Sequence, residues 1–251
     1  MFLASLGSTI NMDSLKLLPK MKWNLMSYYY FRLKNKELYN KIINTSELIM
    51  VDSGAHSFQK GKKVDWLEYT KEYAAWIKGN DSDHIIGFFE MDADNVLGYE
   101  KVLELRKILQ KNSDKIIPVW HKGRGVQDYK KMCKEYKGKI VAVSGFRNED
   151  ISDHQYEMFL NTAWDNGCRV HCLGMTRIKI LNKIPFDYVD SSSWNSPLRY
   201  GRYKDNLKVK KGMDFNDRNK VLNIIYREGM KKQSYYEAKW KNYENEYKRG
   251  L

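Results

Sequence analysis

Three apolar stretches of this chain end in aspartate, and those carboxylates are the first candidates for chemistry. Asp190 ends the run FDYV and is followed by three serines, Asp52 ends LIMV, and Asp92 and Asp94 end IIGFFEM. Ligands of α/β proteins bind at the carboxyl ends of parallel strands. Because three such ends recur, separated by helical stretches, the sequence predicts one site built from several strand ends.

Paired carboxylates at one rim can divide the work of a nucleophile and a general acid/base, as they do in glycoside chemistry. Asp52 and Asp190 are the candidates for these two roles. The alternative is that each caps the helix that follows its strand. Asp187 competes with Asp190 for the nucleophile, but the two are three residues apart in one strand. Alternation points them to opposite faces, so only one can serve the pocket.

The order of predicted elements favours a barrel. Strand, loop and helix alternate from residue 48 to residue 190 with short connections, as expected for parallel strands joined by right-handed crossovers. With a first strand over 2–7 and a last strand over 207–210, eight strands can be counted, and 24–30 is also β-prone. We predict an α/β fold, a (β/α)8 TIM barrel, rather than an open doubly wound sheet. Residues 1–212 form this domain, and 213–251 form a basic, aromatic helical extension packed on it.

The composition of the chain indicates which class of partner and which compartment to expect. Lys and Arg number 44 against 31 acidic residues, a formal net charge of +13, which favours a polyanion such as nucleic acid. The three cysteines have no paired spacing and indicate a reduced environment rather than disulfides or zinc. The start has no basic segment typical of a signal peptide, and no apolar run is long enough to span a membrane. We therefore expect a cytoplasmic protein without a membrane partner.

Several short motifs together resemble the tRNA-guanine transglycosylase (queuine/archaeosine tRNA-ribosyltransferase) superfamily. The loop DSGA at 52–55 resembles that family's DSGG/DSGA motif, MDAD at 91–94 its acidic strand end, and VSGF at 143–146 its glycine-glycine-leucine segment. HCLG at 171–174 is similar to its LMG-type turn, and FDYVDSSSW at 186–194 to its nucleophile strand. The order and spacing of these motifs span residues 48–194 and are more specific than any one of them.

The resemblance implies exchange of guanine in a polynucleotide for a 7-deazaguanine. Asp190 would attack the sugar C1′ and form a covalent glycosyl-enzyme, while Asp52 would act as general acid/base or hold the departing and incoming bases. Asp92 would read the guanine-type edge. The base-binding residues expected in this way are Ser53, Gly54, Asp92, Trp120, His121, Ser144, Gly145, Leu173 and Gly174.

The chain also departs from that family. No cysteine follows Cys172, so the zinc site of the tRNA enzymes is missing, and Trp120-His121 replaces a glutamine. Short, zinc-less relatives occur in phages, where similar proteins insert deazaguanines into DNA. The expected partners are therefore DNA, or next tRNA, and a 7-deazaguanine base such as preQ0, with no cofactor and no metal. In a phage protein the compartment would be the host cytoplasm.

Several alternatives stay open. The barrel could be a hydrolytic nucleoside or nucleotide N-glycosidase, or a non-catalytic nucleic-acid-binding subunit, and a homodimer or a partner subunit is compatible with either. His121 could be an acid/base or a phosphate contact, although a single histidine is more often structural. The three serines after Asp190 lack the flanking glycines of a nucleophile elbow. Basic residues expected to contact the polymer are Lys60, Lys62, Lys63, Arg124, Arg199 and Arg202.

Overall fold

The computed structural model describes residues 1–6, 9–33, 36–58, 64–144, 151–196, 198 and 217–248. Within these residues, nine parallel strands form one sheet. They are β1 (Phe2–Ala4), β2 (Met21–Ser27), β3 (Ser46–Asp52), β4 (Ile85–Phe89), β5 (Ile116–Ile117), β6 (Val119–Trp120), β7 (Ile140–Ser144), β8 (Arg169–Leu173) and β9 (Tyr188–Ser191).

Helices connect successive strands and lie outside the sheet. They are α1 (Met12–Leu17), α2 (Tyr28–Phe31), α3 (Lys36–Thr45), α4 (Trp66–Asn80), α5 (Asp94–Leu97), α6 (Tyr99–Gln110), α7 (Gly125–Glu135), α8 (Asp153–Asp165), α9 (Ile178–Leu181) and α10 (Arg218–Lys248). Short 3-10 turns occupy Ala55–Phe58, Lys122–Arg124 and Ser193–Asn195. None of the helices in the described part of the chain combines the length and apolarity needed to cross a membrane.

The sheet closes into a barrel across Pro118. The strand order is β5-β4-β3-β2-β1-β9-β8-β7-β6, and β5 and β6 are the two halves of one extended segment on either side of this proline. Proline has no N–H to give to a ladder. Its carbonyl still accepts from the amide of Ala142 at 2.9 Å, which ties the segment to β7. Eight strand positions therefore surround the axis in chain order, and the predicted TIM barrel is confirmed.

Alternation along the strands divides the apolar side chains into two layers. Phe2, Met50, Phe89 and Ala142 belong to the set that fills the barrel interior. Their neighbours in sequence point outward into two larger clusters, one under α1–α6 and α10 and one under α7–α9. The same alternation decides which residues at the strand ends reach the mouth of the barrel.

Helix α4 holds the end of β3 in place. Asp65 caps this helix by accepting a hydrogen bond from the amide of Glu68 at 3.0 Å. The hydroxyl of Tyr69 donates to the carbonyl of Ser53 at 2.6 Å, and that of Tyr73 donates to the carbonyl of Val51 at 3.2 Å. These two buried bonds fix the backbone on both sides of Asp52.

One strand prediction differs from the structure. The β-prone stretch 24–30 is strand only to Ser27, and the next turn is helical because Tyr28 and Phe31 pack their rings against Trp76 of α4. The strand predicted over 207–210 lies outside the described residues. Phe2 pairs directly with Asp190, so the barrel closes between β1 and β9 without a strand between them.

Helix α10 packs along the barrel wall. The hydroxyl of Tyr226 donates to the buried side chain of Asn24 at 3.1 Å. One turn further on, Gly229 passes so close that an added Cβ would lie 2.9 Å from the side chain of Leu3. Gln233 donates to the carbonyls of Met1 and Trp23 at 2.9 and 2.6 Å, near the amino ends of the strands. The predicted helical extension is thus present from residue 218, while the predicted boundary at 212 lies outside the described residues.

Candidate active site

A cavity of about 870 Å³ opens at the carboxyl ends of the strands. Its size falls within the range of pockets that hold small molecules. The carboxylates of Asp52, Asp92 and Asp190 all line it, so the structure brings together the three strand ends singled out in the sequence. Many polar residues also line it, namely Ser5, Ser27, Tyr30, His56, Ser57, Asn95, His121, Ser144, Thr176, Ser192, Ser193, Asn195 and Ser196.

Asp190 is held by the neighbouring strand. Its Oδ1 accepts the amide N–H of Gly174 at 2.8 Å and lies 3.0 Å from Nε2 of His171. The side chain is only 12% exposed. No described residue donates a hydrogen bond to Oδ2. The carboxylate is therefore anchored through one oxygen and has the other available at the cavity.

Asp187 lies on the opposite face of the same segment. Its Oδ2 accepts Nε1–H of Trp164 at 2.9 Å and the amide N–H of Val170 at 2.7 Å. It lines a groove between the barrel wall and α10, well removed from the mouth. The alternation predicted from the spacing of Asp187 and Asp190 is what the structure shows.

Asp52 is surrounded differently. Burial at the end of β3 raises the pKa of this carboxyl to about 6, and the nearby charges of Asp92 and Asp190 act in the same direction. A hydrogen bond from the amide of Gly54 opposes the shift without cancelling it. A carboxyl that titrates close to neutral pH can both give and take a proton, which is the property of a general acid/base.

The backbone after Asp52 requires glycine. Gly54 has φ +80°, and a Cβ built there would lie 2.3 Å from Cβ of Tyr29 and 2.9 Å from its backbone nitrogen. Ser53 is fully buried and is not among the residues that line the cavity. In this structure Ser53 and Gly54 therefore shape the loop that presents Asp52, and neither of them lines the pocket itself.

Two acid–base pairs join the loop after β4 to the segment after β6. His121 Nε2 lies 2.5 Å from Asp92 Oδ1. Burial lowers the pKa of His121, but the hydrogen bond and charge of Asp92 outweigh it, so the net shift is upward. Arg124 pairs with Asp94 and stacks 3.8 Å above the ring of Tyr99.

Asp92, Asp94 and His121 have ligand atoms within 4.8 Å of one another and could in principle converge on a metal ion. Each carboxylate is already matched by a cationic or ionisable partner, His121 for Asp92 and Arg124 for Asp94. The charges of the cluster therefore balance without a metal. Its geometry is that of a half-buried ion-pair network that fixes the side chain of Asp92 at the cavity wall.

Two predicted contacts have other positions. The side chain of Trp120 is buried on the outer side of the barrel wall, where it packs on the rings of Tyr129 and Phe159 and donates to the carbonyl of Gly125 at 3.0 Å. Alternation along the strand turns Val119 and His121 toward the cavity instead. The guanidinium of Arg124 is engaged by Asp94 and only 7% exposed. Neither side chain is placed to touch a base or a polymer in this structure.

The other predicted residues divide into those seen at the cavity and those that are not described. Ser144, Leu173 and Gly174 line the cavity with Asp92 and His121. Gly145 and the predicted polymer contacts Lys60, Lys62, Lys63, Arg199 and Arg202 lie outside the described residues.

Two buried polar residues were given no role from the sequence. His171 is completely buried beneath Asp190, and its signal was weak because one histidine in an apolar strand is usually structural. Glu90 is also completely buried, pairs with Arg106, and accepts the amide of Val119 at 2.6 Å. Its only signal in the sequence was its place in the stretch IIGFFEM, just before Asp92 and Asp94. This pair anchors Val119 at the start of β6, two residues before His121.

Comparisons with known proteins add little. No family model matches the chain, and no curated protein matches it. Among solved structures, one described as a "novel GH10 endoxylanase retrieved from sugarcane soil metagenome" is similar with a TM-score of 0.43 and 13% identity, over 69% of this chain and 67% of that one. A likeness of this size carries no argument about the reaction, and the barrel assignment rests on the strand pairing itself.

Proposed function

We propose that this protein is an enzyme, a pentosyltransferase that exchanges guanine in a polynucleotide for a 7-deazaguanine base. DNA is the preferred polymer and tRNA the next candidate. The observation that carries the proposal is the arrangement of two carboxylates at one cavity. Asp190 is oriented by two N–H groups, and Asp52 has a pKa near neutrality.

The reaction that fits these groups has two successive displacements at C1′ of the sugar. Oδ2 of Asp190 attacks C1′ of the guanosine unit, the C1′–N9 bond breaks, and the departing guanine takes a proton from the carboxyl of Asp52. The incoming base then gives its N9 proton to Asp52 and attacks C1′, which breaks the bond to Asp190. No net hydrolysis occurs, and an oxocarbenium-like centre passes close to a carboxylate in both steps.

Other residues that line the cavity supply a slot for a base. Asp92 can accept from the N–H groups of a guanine-type edge, and its pairing with His121 holds it in one orientation. Ser144 and Leu173 border the same space. A base that reacts at C1′ must leave the helical stack, and a polar-edged pocket is what such enzymes use to receive it.

The charge of the chain supports a polymeric substrate. A formal net charge of +13 attracts the phosphate backbone and would make binding strongly dependent on salt. The preference for DNA over tRNA comes from the resemblance to short, zinc-less phage proteins described above.

The direct test is to incubate purified protein with radiolabelled guanine, offering duplex DNA and bulk tRNA in separate reactions. We expect label to enter DNA, and the reaction to disappear in Asp190→Asn. Label in tRNA alone would keep the activity and change the substrate. Free guanine released from the polymer without incorporation of label would replace the proposal with a hydrolytic N-glycosidase. Salt-dependent binding with neither product, unchanged in Asp190→Asn, would indicate a non-catalytic binding subunit.

A further inference from the structure

We propose that His171 is a positioning residue. Its side chain, a neutral imidazole in one tautomer, holds the Asp190 carboxylate in its attacking orientation. Its role rests on the proposed function, because it acts through the nucleophile of that reaction. Nothing in the sequence motifs assigns it. The inference comes from its hydrogen bond, its burial and the groups around its ring.

The hydrogen bond defines which nitrogen carries the proton. Oδ1 of Asp190 already accepts the amide N–H of Gly174 at 2.8 Å, so this oxygen acts as an acceptor. Nε2 of His171, at 3.0 Å from the same oxygen, must then be the donor. Both bonds converge on Oδ1 and leave Oδ2 to face the cavity.

The surroundings of the ring favour the neutral form. His171 is completely buried, and its ring lies against Phe89, Phe2 and Tyr188, with centroid distances of 5.0, 6.3 and 6.4 Å. Nδ1 has no hydrogen-bond partner among the described residues. A charged imidazolium would leave a second N–H buried without an acceptor, whereas the neutral form leaves only a lone pair there.

This arrangement has a consequence for the reaction. A carboxylate held by Gly174 alone could rotate about its bond to Cβ, and Oδ2 would sample positions away from C1′. The imidazole supplies a second point of attachment from within β8, whereas Gly174 follows that strand, and stops that rotation. Reactive groups that lose their alignment by about 1 Å can lose on the order of 100-fold in rate.

The test compares His171→Phe, which removes the donor, with His171→Gln, whose amide can reach the same oxygen. Both are assayed for guanine exchange after their unfolding midpoints are shown to lie near that of the wild type. We expect His171→Phe to lower kcat roughly 100-fold with KM for the polymer within about threefold, and His171→Gln to recover most of that loss. Tyr188→Phe, in the same interior layer, is the matched control and should keep kcat. Equal kcat for wild type and His171→Phe, or no recovery by glutamine, would overturn the assignment.

A second measurement does not depend on activity. In protein with ¹⁵N-labelled histidine, the signals of His171 are identified by their loss in His171→Gln. We expect a protonated Nε2 and an unprotonated Nδ1, and loss of this single tautomer in Asp190→Ala. A protonated Nδ1 in the wild type would contradict the proposal. If the wild type exchanges no base, the proposed function fails by itself, while this spectrum still decides whether His171 holds Asp190.

Discussion

Asp52 and Asp190 end strands of the same barrel and face the same cavity, yet their surroundings differ. Each receives the N–H of a glycine with positive φ, Gly54 at +80° and Gly174 at +66°. Asp190 is also bonded to His171 of the adjacent strand. Asp52 has Ser27 in place of a histidine on its adjacent strand, has two carboxylates nearby, and burial raises its pKa to about 6. In the reaction proposed above, these different neighbours, and not residue type, would assign one carboxylate to attack and the other to proton transfer.

The largest effect is expected at Asp190. Asp190→Asn removes the nucleophile and should lower guanine exchange by roughly 10⁴-fold or more, measured as incorporation of labelled guanine. Asp187→Asn is the matched control, because it makes the same change three residues away on the outer face of the segment, where an amide oxygen can still accept from Trp164 and Val170. Exchange should survive in this control. Comparable losses in the two variants would contradict the division of the strand into two faces.

A smaller loss is expected at Asp52. Asp52→Asn cannot transfer a proton, and exchange should fall by roughly 10² to 10⁴-fold, the usual contribution of general acid/base catalysis. The pH profile sharpens the test. Wild-type activity should change near pH 6, where the carboxyl titrates, and the remaining activity of Asp52→Asn should lack that inflection. An inflection that persists in the variant would move the proton-transfer role to another group, with His121 the first to examine.

Gly54→Ala tests the loop that presents Asp52. Positive φ disfavours any residue with a Cβ, and here the new methyl would also meet Cβ and the backbone nitrogen of Tyr29. We expect a loss of about 1–3 kcal/mol in the free energy of unfolding, measured by urea denaturation. Gly123→Ala is the control, since nothing lies within 4 Å of its added Cβ and its φ is not positive. Equal losses would indicate that the loop relaxes around the methyl.

An effect of similar size but opposite sign, a gain in stability, is expected from Asp52→Asn. The folded protein keeps its proton on Asp52 up to about pH 6, whereas an unfolded chain releases it near 3.8. The stability that this group contributes is therefore complete below pH 3.8 and is lost as the pH rises through about 6. Asparagine is neutral throughout, so Asp52→Asn should raise the free energy of unfolding by about 1–3 kcal/mol at pH 8 and change it little at pH 4. A gain of equal size at both pH values would show that charge burial is not its cause.

Local patterns carried most of the fold prediction. The alternation of strand, loop and helix predicted from residue 48 to residue 190 is present from β3 to β9. The strand prediction for 24–30 was wrong beyond Ser27. Aromatic residues favour strands in isolation, but Tyr28 and Phe31 bury their rings against α4 when they form a helical turn. A propensity is easily overruled when several rings can be buried together.

The alternation of strands and helices, the barrel, and the carboxylates at three strand ends could all be predicted from the sequence, because these follow from patterns over a few residues. Tertiary structure alone decided that Trp120 points away from the cavity, that Arg124 is engaged by Asp94, and that His171 supports Asp190. Each of these depends on a partner from another element. The pairing of residues brought together by barrel closure, such as Phe2 with Asp190, is not written in either local stretch.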